Sequence, residues 1–389
     1  MSRPELLFLT EENPFPMNGG GKIRDGSMLR LLAEKATVEV LCFGARASRT
    51  TVDGGVVVTE LRRGSNPLWR RALSPFRPYV VNGFSDAVLE ALRTRAAAGK
   101  ILWLSRLAMA RYAASAKKLG YRVILDEHNV ESELLIALAR KSLKGVYDRW
   151  LAAKCAQVEA RFCRQVSAVV VTSERDLEAL RKMAPETRYH LVPNCIDANS
   201  YEELRSHVGS TLFFQGTLDY FPNHEGLDWF MREVLAAIKS ELGAAMPRIV
   251  VAGANPSAAL VSALTAHGIE VCANPPSMLP LLRDSAVEFV PLRSGSGTRI
   301  KILEAMAAGR AVVSTAKGAE GLRILSGRDC IIADEPREFA AKVSQLFKDS
   351  ELRLHVGKEA ARTIDEVYDW RCSRAAIETL LGGASARSL

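Results

Sequence analysis

The sequence predicts an α/β protein made of two consecutive doubly wound parallel-sheet domains. Continuous Val, Ile and Leu runs bounded by turn residues alternate with helical-period segments along nearly the whole chain. That is the pattern of parallel sheets covered on both faces by helices. The alternation runs twice, with a break at Pro193-Asn194, and 389 residues is about twice the usual size of one domain.

In the first series the strand-like runs are 5–10, Val38–Cys42, Val56–Thr59, Ile101–Leu104, Arg122–Asp126, Ala168–Thr172 and His190–Val192. Helical periods fill 22–35, 83–97, 107–118, a long stretch at 131–165, and 174–183. The second series follows Asp197, with runs at Leu212–Gln215, Ile249–Ala252, Ile269–Val271, Val287–Val290, 311–315 and Cys330–Ile332. The expected domains are 1–193 and 194–367, with a C-terminal helix over about 368–389 available to pack back onto the first. Doubly wound sheets place their functional loops at the carboxyl ends of the strands, so a ligand is expected in a cleft between the two domains.

Composition narrows the function classes. With 48% hydrophobic and 25% charged residues the chain is globular rather than disordered. Its seven cysteines (Cys42, Cys155, Cys163, Cys195, Cys272, Cys330, Cys372) are scattered, odd in number and without a C-x-x-C pair, so neither a disulfide framework nor a zinc site is expected. The apolar run Glu5–Thr10 is too short, and too closely followed by Glu11-Glu12, for a signal peptide or membrane span. A cytoplasmic location is therefore expected. The net charge of +8 points to an acidic partner and leaves open nucleic acid, an anionic membrane or a phosphorylated substrate.

The segment Ser294–Gly309 followed by Ala311–Thr315 carries the most chemical information. It has the form of a glycine-rich loop, a helix, a tight turn and a buried strand. Gly295, Gly297 and Thr298 let backbone N–H groups approach a ligand, and a helix N-terminus adds unsatisfied donors with a partial positive charge. Arg299 and Lys301 add two full charges, and Glu304 supplies a carboxylate able to accept from vicinal hydroxyls. Phosphate and diol together mean a nucleotide. The alternatives are solvated helix-start cations, unfavourable at that end without an anion, and a surface glutamate.

These signposts resemble the retaining GT-B glycosyltransferases of family four. The ones that match, in the family's order, are 14–24 with Gly19, Gly20, Gly21 and Arg24, the turn Asp126–Asn129, Val192–Asp197, Phe214–Thr217, and Leu303–Gly309. The resemblance implies a GT-B fold and transfer of a sugar, with retention of configuration, from a nucleotide diphosphate sugar, UDP- or GDP-linked. The acceptor is expected to be a small molecule, a saccharide or a lipid-linked species. No cofactor and no metal are expected, since no H-x-x-x-H, D-x-D or carboxylate cluster stands out.

By the same resemblance, Gly19–Gly21 face the donor phosphates, Arg24 is an anion contact, and His128 lies beside a donor hydroxyl or the acceptor, with Glu127 and Asn129 holding its turn. Gly216, Thr217, Gly253 and Val271 belong to the nucleotide side, Val271 opening a loop over the base, although Val271 also suits plain core. Catalysis is expected of His128, Arg299 and Glu304. Two departures stand out. Ser296 occupies the place of the first of two glutamates spaced by seven residues, and the cations usual after the first strand of the second domain are absent from Gly216–His224. Arg299 and Lys301 are expected to supply the missing charge.

Finally, Arg62–Pro78 interleaves five arginines with Trp69, Leu73 and Phe76. This suits an anionic membrane surface or a phosphorylated lipid-linked acceptor, with Trp69, Arg70 and Arg71 at its centre, and equally a solvated loop with one anchoring Trp. No nucleic-acid motif accompanies it. Two other readings fit the fold: a non-catalytic nucleotide-sugar or lipid-binding protein, motivated by Ser296, and a GT-B sugar-nucleotide epimerase.

Overall fold

A computed structural model of the chain describes residues 3–17, 19–52, 55–62, 85–97, 99–138, 143–295 and 299–382. Two compact units emerge, one of Met1–Asn194 with Ser373–Leu389, the other of Cys195–Cys372.

The first unit runs β1 (Glu5–Leu9), α1 (Gly20–Lys35), β2 (Thr37–Gly44), β3 (Ser48–Val52), β4 (Val56–Arg62), α2 (Asp86–Thr94), β5 (Ile101–Ser105), a 3₁₀ turn at Leu107–Tyr112, α3 (Ala113–Lys118) and β6 (Arg122–Glu127). It continues through α4 (Glu131–Leu138), α5 (Leu143–Gln165), β7 (Ala168–Val171), α6 (Glu174–Met183) and β8 (Tyr189–Leu191). The sheet order is β3-β4-β2-β1-β5-β6-β7-β8. All pairs are parallel except β3 with β4. The chain winds outward from β1 through β2 to β4, then returns to β5 on the other side of β1. The β1/β5 boundary is thus the point where strand order reverses, where an open α/β sheet opens a crevice. Burial follows from this topology: Leu6, Leu7, Phe8 and Leu9 are all sealed, and Phe8 stacks on the buried Trp103 with ring centroids 6.4 Å apart.

Within the stretch 131–165 the described helices are α4 and α5, and 139–142 lie outside the described residues. One strand was not expected: β3, Ser48-Arg-Thr-Thr-Val52, is a polar, exposed edge strand that needs no buried face.

The second unit runs a 3₁₀ segment at Ala198–Ser206, β9 (Thr211–Gln215), α7 (Phe221–Trp229), α8 (Leu235–Leu242), β10 (Ile249–Gly253), α9 (Ala258–Ala266), β11 (Glu270–Ala273), α10 (Leu279–Asp284), β12 (Ser285–Val290) and α11 (Ile300–Ala307). Then come β13 (Ala311–Ser314), β14 (Ile331–Ile332), α12 (Pro336–Lys348) and α13 (Ser350–Thr363). Its all-parallel sheet has the order β11-β10-β9-β12-β13-β14, the winding of dinucleotide-binding folds, with the reversal between β9 and β12. Side-chain caps fix helix starts, Ser257 accepting from Leu260 N–H (3.2 Å) and Asp349 from Leu352 N–H (2.9 Å). The last helix, α14 (Arg374–Gly382), belongs to the first unit, where Arg374 pairs with Glu34 (2.8 Å) and Lys35 with Glu378 (2.8 Å).

Candidate functional site

In the first unit the expected residues gather where the sheet order reverses. Helix α1 starts at Gly20 with Gly19 as its N-cap, and Ile23 N–H donates to the Gly19 carbonyl (2.8 Å). The N–H groups of the first turn have no acceptor inside the helix. A side chain at Gly21 would overlap the guanidinium of Arg106, a residue the sequence reading did not select. Arg106 adopts φ +72° just past β5, and its guanidinium pairs with Glu11 (3.2 Å) and reaches Glu12 (3.8 Å).

Arg24, expected as an anion contact, already has partners inside the first unit. Its guanidinium is buried and bound to Asp126, to the Val192 carbonyl (3.2 Å) and to Asn194 Oδ1 (3.0 Å). It ties α1 to the ends of β6 and β8, with most of its donors engaged inside the protein. Glu127 does not hold the His128 turn. It lies at the end of β6, 1% exposed, and its carboxyl is driven well above the usual range by burial and then by Glu159, Glu131, Asp126 and Asp176.

His128 follows β6 and joins a polar cluster that only folding assembles. Its Nε2 lies 3.1 Å from Ser105 Oγ at the end of β5, 3.4 Å from Asp25 Oδ1 on α1 and 3.8 Å from Asp126 Oδ2. Asp25 is fully buried and accepts from Thr10 Oγ1 (2.8 Å) and Ser105 Oγ (2.6 Å). Burial pushes the Asp25 carboxyl upward, but His128, Arg106 and Ser105 together hold it below the usual value. Thr10, Asp25 and Ser105 carried no sequence signal, since isolated polar residues in apolar runs look like element ends.

In the second unit the carboxyl ends of β9 and β12 converge with the start of α11. Glu304 and Lys301, on successive turns of α11, are both partly buried. Tyr201 donates its hydroxyl to Glu304 Oε1 (3.1 Å), and Lys301 Nζ donates to Asn223 Oδ1 (2.8 Å) while lying 4.0 Å over the Phe214 ring. Burial raises the Glu304 carboxyl to about 7, against smaller lowering by Tyr201 and Lys301. It also lowers the Lys301 ammonium to about 7, while Glu288 and Glu304 act in the opposite sense. Each charged group is thus held by a neutral partner in a site of low polarity. Glu288 on β12 is sealed, its carboxyl raised well above the usual value by burial, with Gln215 donating to one oxygen (3.3 Å).

Arg299 is the N-cap of α11; it is 7% exposed, its guanidinium within 3.4 Å of the Ser294 carbonyl, and burial lowers its pKa. Gly295, at φ +99°, brings the chain close to that guanidinium, which a Cβ would meet at 2.9 Å. Gly216 must also be small, because a Cβ there would stand 2.7 Å from Lys301 Nζ. Gly253 at the end of β10 faces the Gly216 carbonyl so closely that a side chain would overlap it. Thr217 accepts through its carbonyl from Asn223 Nδ2 (2.7 Å), which orients the partner of Lys301. Val271 lies on the edge strand β11, partly buried against the core and one strand beyond Gly253. Ser296, Gly297 and Thr298, like Trp69, Arg70 and Arg71, lie outside the described residues.

Among the described residues no group of three or more His, Cys, Asp and Glu is placed to hold a metal ion, and no helix is long and apolar enough to cross a membrane.

Comparison with known proteins agrees with this geometry. Residues 209–349 match the family model described as glycosyl transferases group 1, and residues 27–200 match that of glycosyltransferase family 4. No curated protein sequence matches the chain. Sucrose-phosphate synthase from Thermosynechococcus elongatus is similar in structure with a TM-score of 0.73 at 13% identity, over 97% of this chain and 98% of that one. An α,α-trehalose-phosphate synthase (UDP-forming) from Burkholderia vietnamiensis gives 0.68 at 11% identity, over 98% and 100%. Anabaena HepE, solved in complex with UDP, gives 0.67 at 13%, over 98% and 100%. The fold is that of the GT-B glycosyltransferases.

Proposed function

Since the chain belongs to the group 1 glycosyltransferases, we propose that it moves a sugar, with retention of anomeric configuration, from a UDP- or GDP-linked donor to a hydroxyl of a small-molecule, saccharide or lipid-linked acceptor. The observation that carries this reading is the partly buried Glu304 and Lys301 pair at the reversal point of the second sheet, each on a neutral partner. A largely desolvated carboxylate and ammonium that are still reachable suit a ligand bringing both a diol and an anion. Glu304 accepts from the ribose hydroxyls. Lys301, Arg299 and the N-terminus of α11 take the diphosphate, and Gly216 and Gly253 keep the backbone low enough for the ligand to approach. Among the similar structures, HepE was solved with UDP and glucose, and one from E. coli with UDP-2-fluoro glucose, which favours uridine within the two bases named.

In the reaction the bond between the anomeric carbon and the diphosphate oxygen breaks, and a bond to the acceptor oxygen forms on the same face. That face places the acceptor hydroxyl beside the departing phosphate oxygen, which receives its proton. The protein stabilises the negative charge growing on the diphosphate with Lys301 and Arg299, a task these cations perform without a divalent metal. His128 contributes a hydrogen bond to a sugar or acceptor hydroxyl.

Calorimetry with UDP, GDP and ADP, followed by product NMR with the preferred donor, tests the reading. Micromolar binding of one nucleoside diphosphate, a retained anomeric configuration and full turnover in excess chelator are expected. An inverted product, or an absolute metal requirement for the chemical step, would contradict the mechanism. Binding without transfer to any acceptor would favour a non-catalytic role, the reading that Ser296 motivates.

A further inference from the structure

Ser105 stands between Asp25 and His128 and has one hydroxyl proton to give. Its Oγ is 2.6 Å from Asp25 Oδ1, the length of a charge-assisted bond, and an ionised carboxylate can only accept. Two hydroxyl donors, Ser105 and Thr10, on its two oxygens and the nearby Arg106 favour the carboxylate form of Asp25. Thr10 Oγ1 occupies its other oxygen at 2.8 Å, so the carboxylate is fixed at both ends. With its proton spent on Asp25, Ser105 turns a lone pair toward His128 Nε2 at 3.1 Å. The other groups near Nε2 are Asp25 Oδ1 at 3.4 Å and Asp126 Oδ2 at 3.8 Å, again acceptors. A nitrogen surrounded by acceptors must carry hydrogen.

We infer that Asp25 is a positioning residue that holds His128 in the Nε2–H tautomer, leaving Nδ1 as an acceptor whose ligand partner is a sugar hydroxyl and not a phosphate oxygen. The ligand half of this statement rests on the proposed transferase function; the tautomer is a property of the protein alone. A neutral ring with a lone pair on Nδ1 repels phosphate oxygens and accepts from O–H, so His128 selects a hydroxyl-bearing part of the substrate. The Thr10–Asp25–Ser105 chain, drawn from the residue after β1, from α1 and from β5, sets that polarity from behind.

The test is ¹⁵N NMR of histidine-labelled protein at alkaline pH, read in the neutral form of the ring, where the two tautomers give distinct shift patterns. The chain has six histidines, and loss of one signal pair in His128→Gln assigns the ring. The wild type is expected to give the Nε2–H pattern. In Asp25→Asn the amide keeps its oxygen on Thr10 and donates to Ser105, which frees the serine proton for Nε2 and switches the ring to Nδ1–H. Ser105→Ala is expected to keep Nε2–H, because Asp25 still faces the ring. With a sugar donor, Asp25→Asn should lower kcat about tenfold or more while UDP affinity stays within about twofold. An Nδ1–H wild type overturns the inference whether or not the variants fold, and so does a folded Asp25→Asn variant that keeps Nε2–H. Absence of transfer from every UDP- and GDP-sugar by a wild type showing Nε2–H would instead remove the proposed function and leave the tautomer standing.

Discussion

Substitution of Glu304 should move stability and ligand affinity in opposite directions. Burial holds its carboxyl at about 7 in the folded protein, against 4.5 for an ordinary glutamate. The folded value lies above the unfolded one, so the stabilising contribution of the protonated form is fully present below about pH 4.5 and is lost as the pH rises through about 7. A difference of about 2.5 pH units corresponds to about 3 kcal/mol, which is an upper figure because Lys301 titrates beside it. Glu304→Gln cannot ionise and still accepts from Tyr201, so at pH 8 it should be more stable than the wild type by up to about 3 kcal/mol. The gain should vanish near pH 4.5. For binding, removal of a charged hydrogen bond costs about 1.5–3 kcal/mol, so Glu304→Ala should weaken UDP by about 10- to 150-fold at pH 8, with Gln milder. Urea unfolding at the two pH values and titration calorimetry at pH 8 measure both. Unchanged UDP affinity in folded variants would remove Glu304 from the nucleotide site, and a Gln variant no more stable at pH 8 would refute the electrostatic reasoning.

Three other changes separate structural from ligand roles. Arg24→Lys keeps the charge but loses the fork on Asp126, Val192 and Asn194, so Tm should fall with UDP affinity unchanged; a parallel loss of affinity by calorimetry would keep Arg24 as an anion contact. Gly253→Ala drives a methyl into the Gly216 carbonyl, and a loss of about 1–3 kcal/mol in denaturant unfolding is expected together with weaker UDP binding; an alanine variant of wild-type stability would show that the two strand ends have room to part. Glu127 has both carboxyl oxygens without a hydrogen-bond partner among the described residues and a pKa raised well above 4.5, so it opposes folding increasingly as the pH rises above the unfolded value. Glu127→Gln should therefore raise Tm at pH 8 and leave it nearly unchanged at about pH 4, whereas an equal effect at both would point to packing instead.

The order of strands and helices was legible in the sequence because hydrophobic period is a local property: the runs at Leu212–Gln215 and Ala168–Thr172 announce buried strands whatever lies around them. Glycines also spoke for themselves. Gly216, Gly253 and Gly295 mark close approaches that only a missing side chain permits, and the charges of Arg299, Lys301 and Glu304 behind such a loop already implied an anion and a diol. What the sequence could not reveal was which polar groups are spent inside the fold. Arg24 and Asp126 are 102 residues apart, Ser105 and Asp25 are 80, Tyr201 and Glu304 are 103, and Lys301 and Asn223 are 78. Hydrogen bonds of that span depend on strand order, which no local pattern encodes. Tertiary structure alone therefore decided that Arg24 is engaged inside the first unit and that His128 rests on Asp25 and Ser105. It also decided that Lys301 and Glu304 are desolvated enough for their pKa values to be drawn together near 7, because desolvation is set by the whole surrounding fold and not by the residues next in sequence.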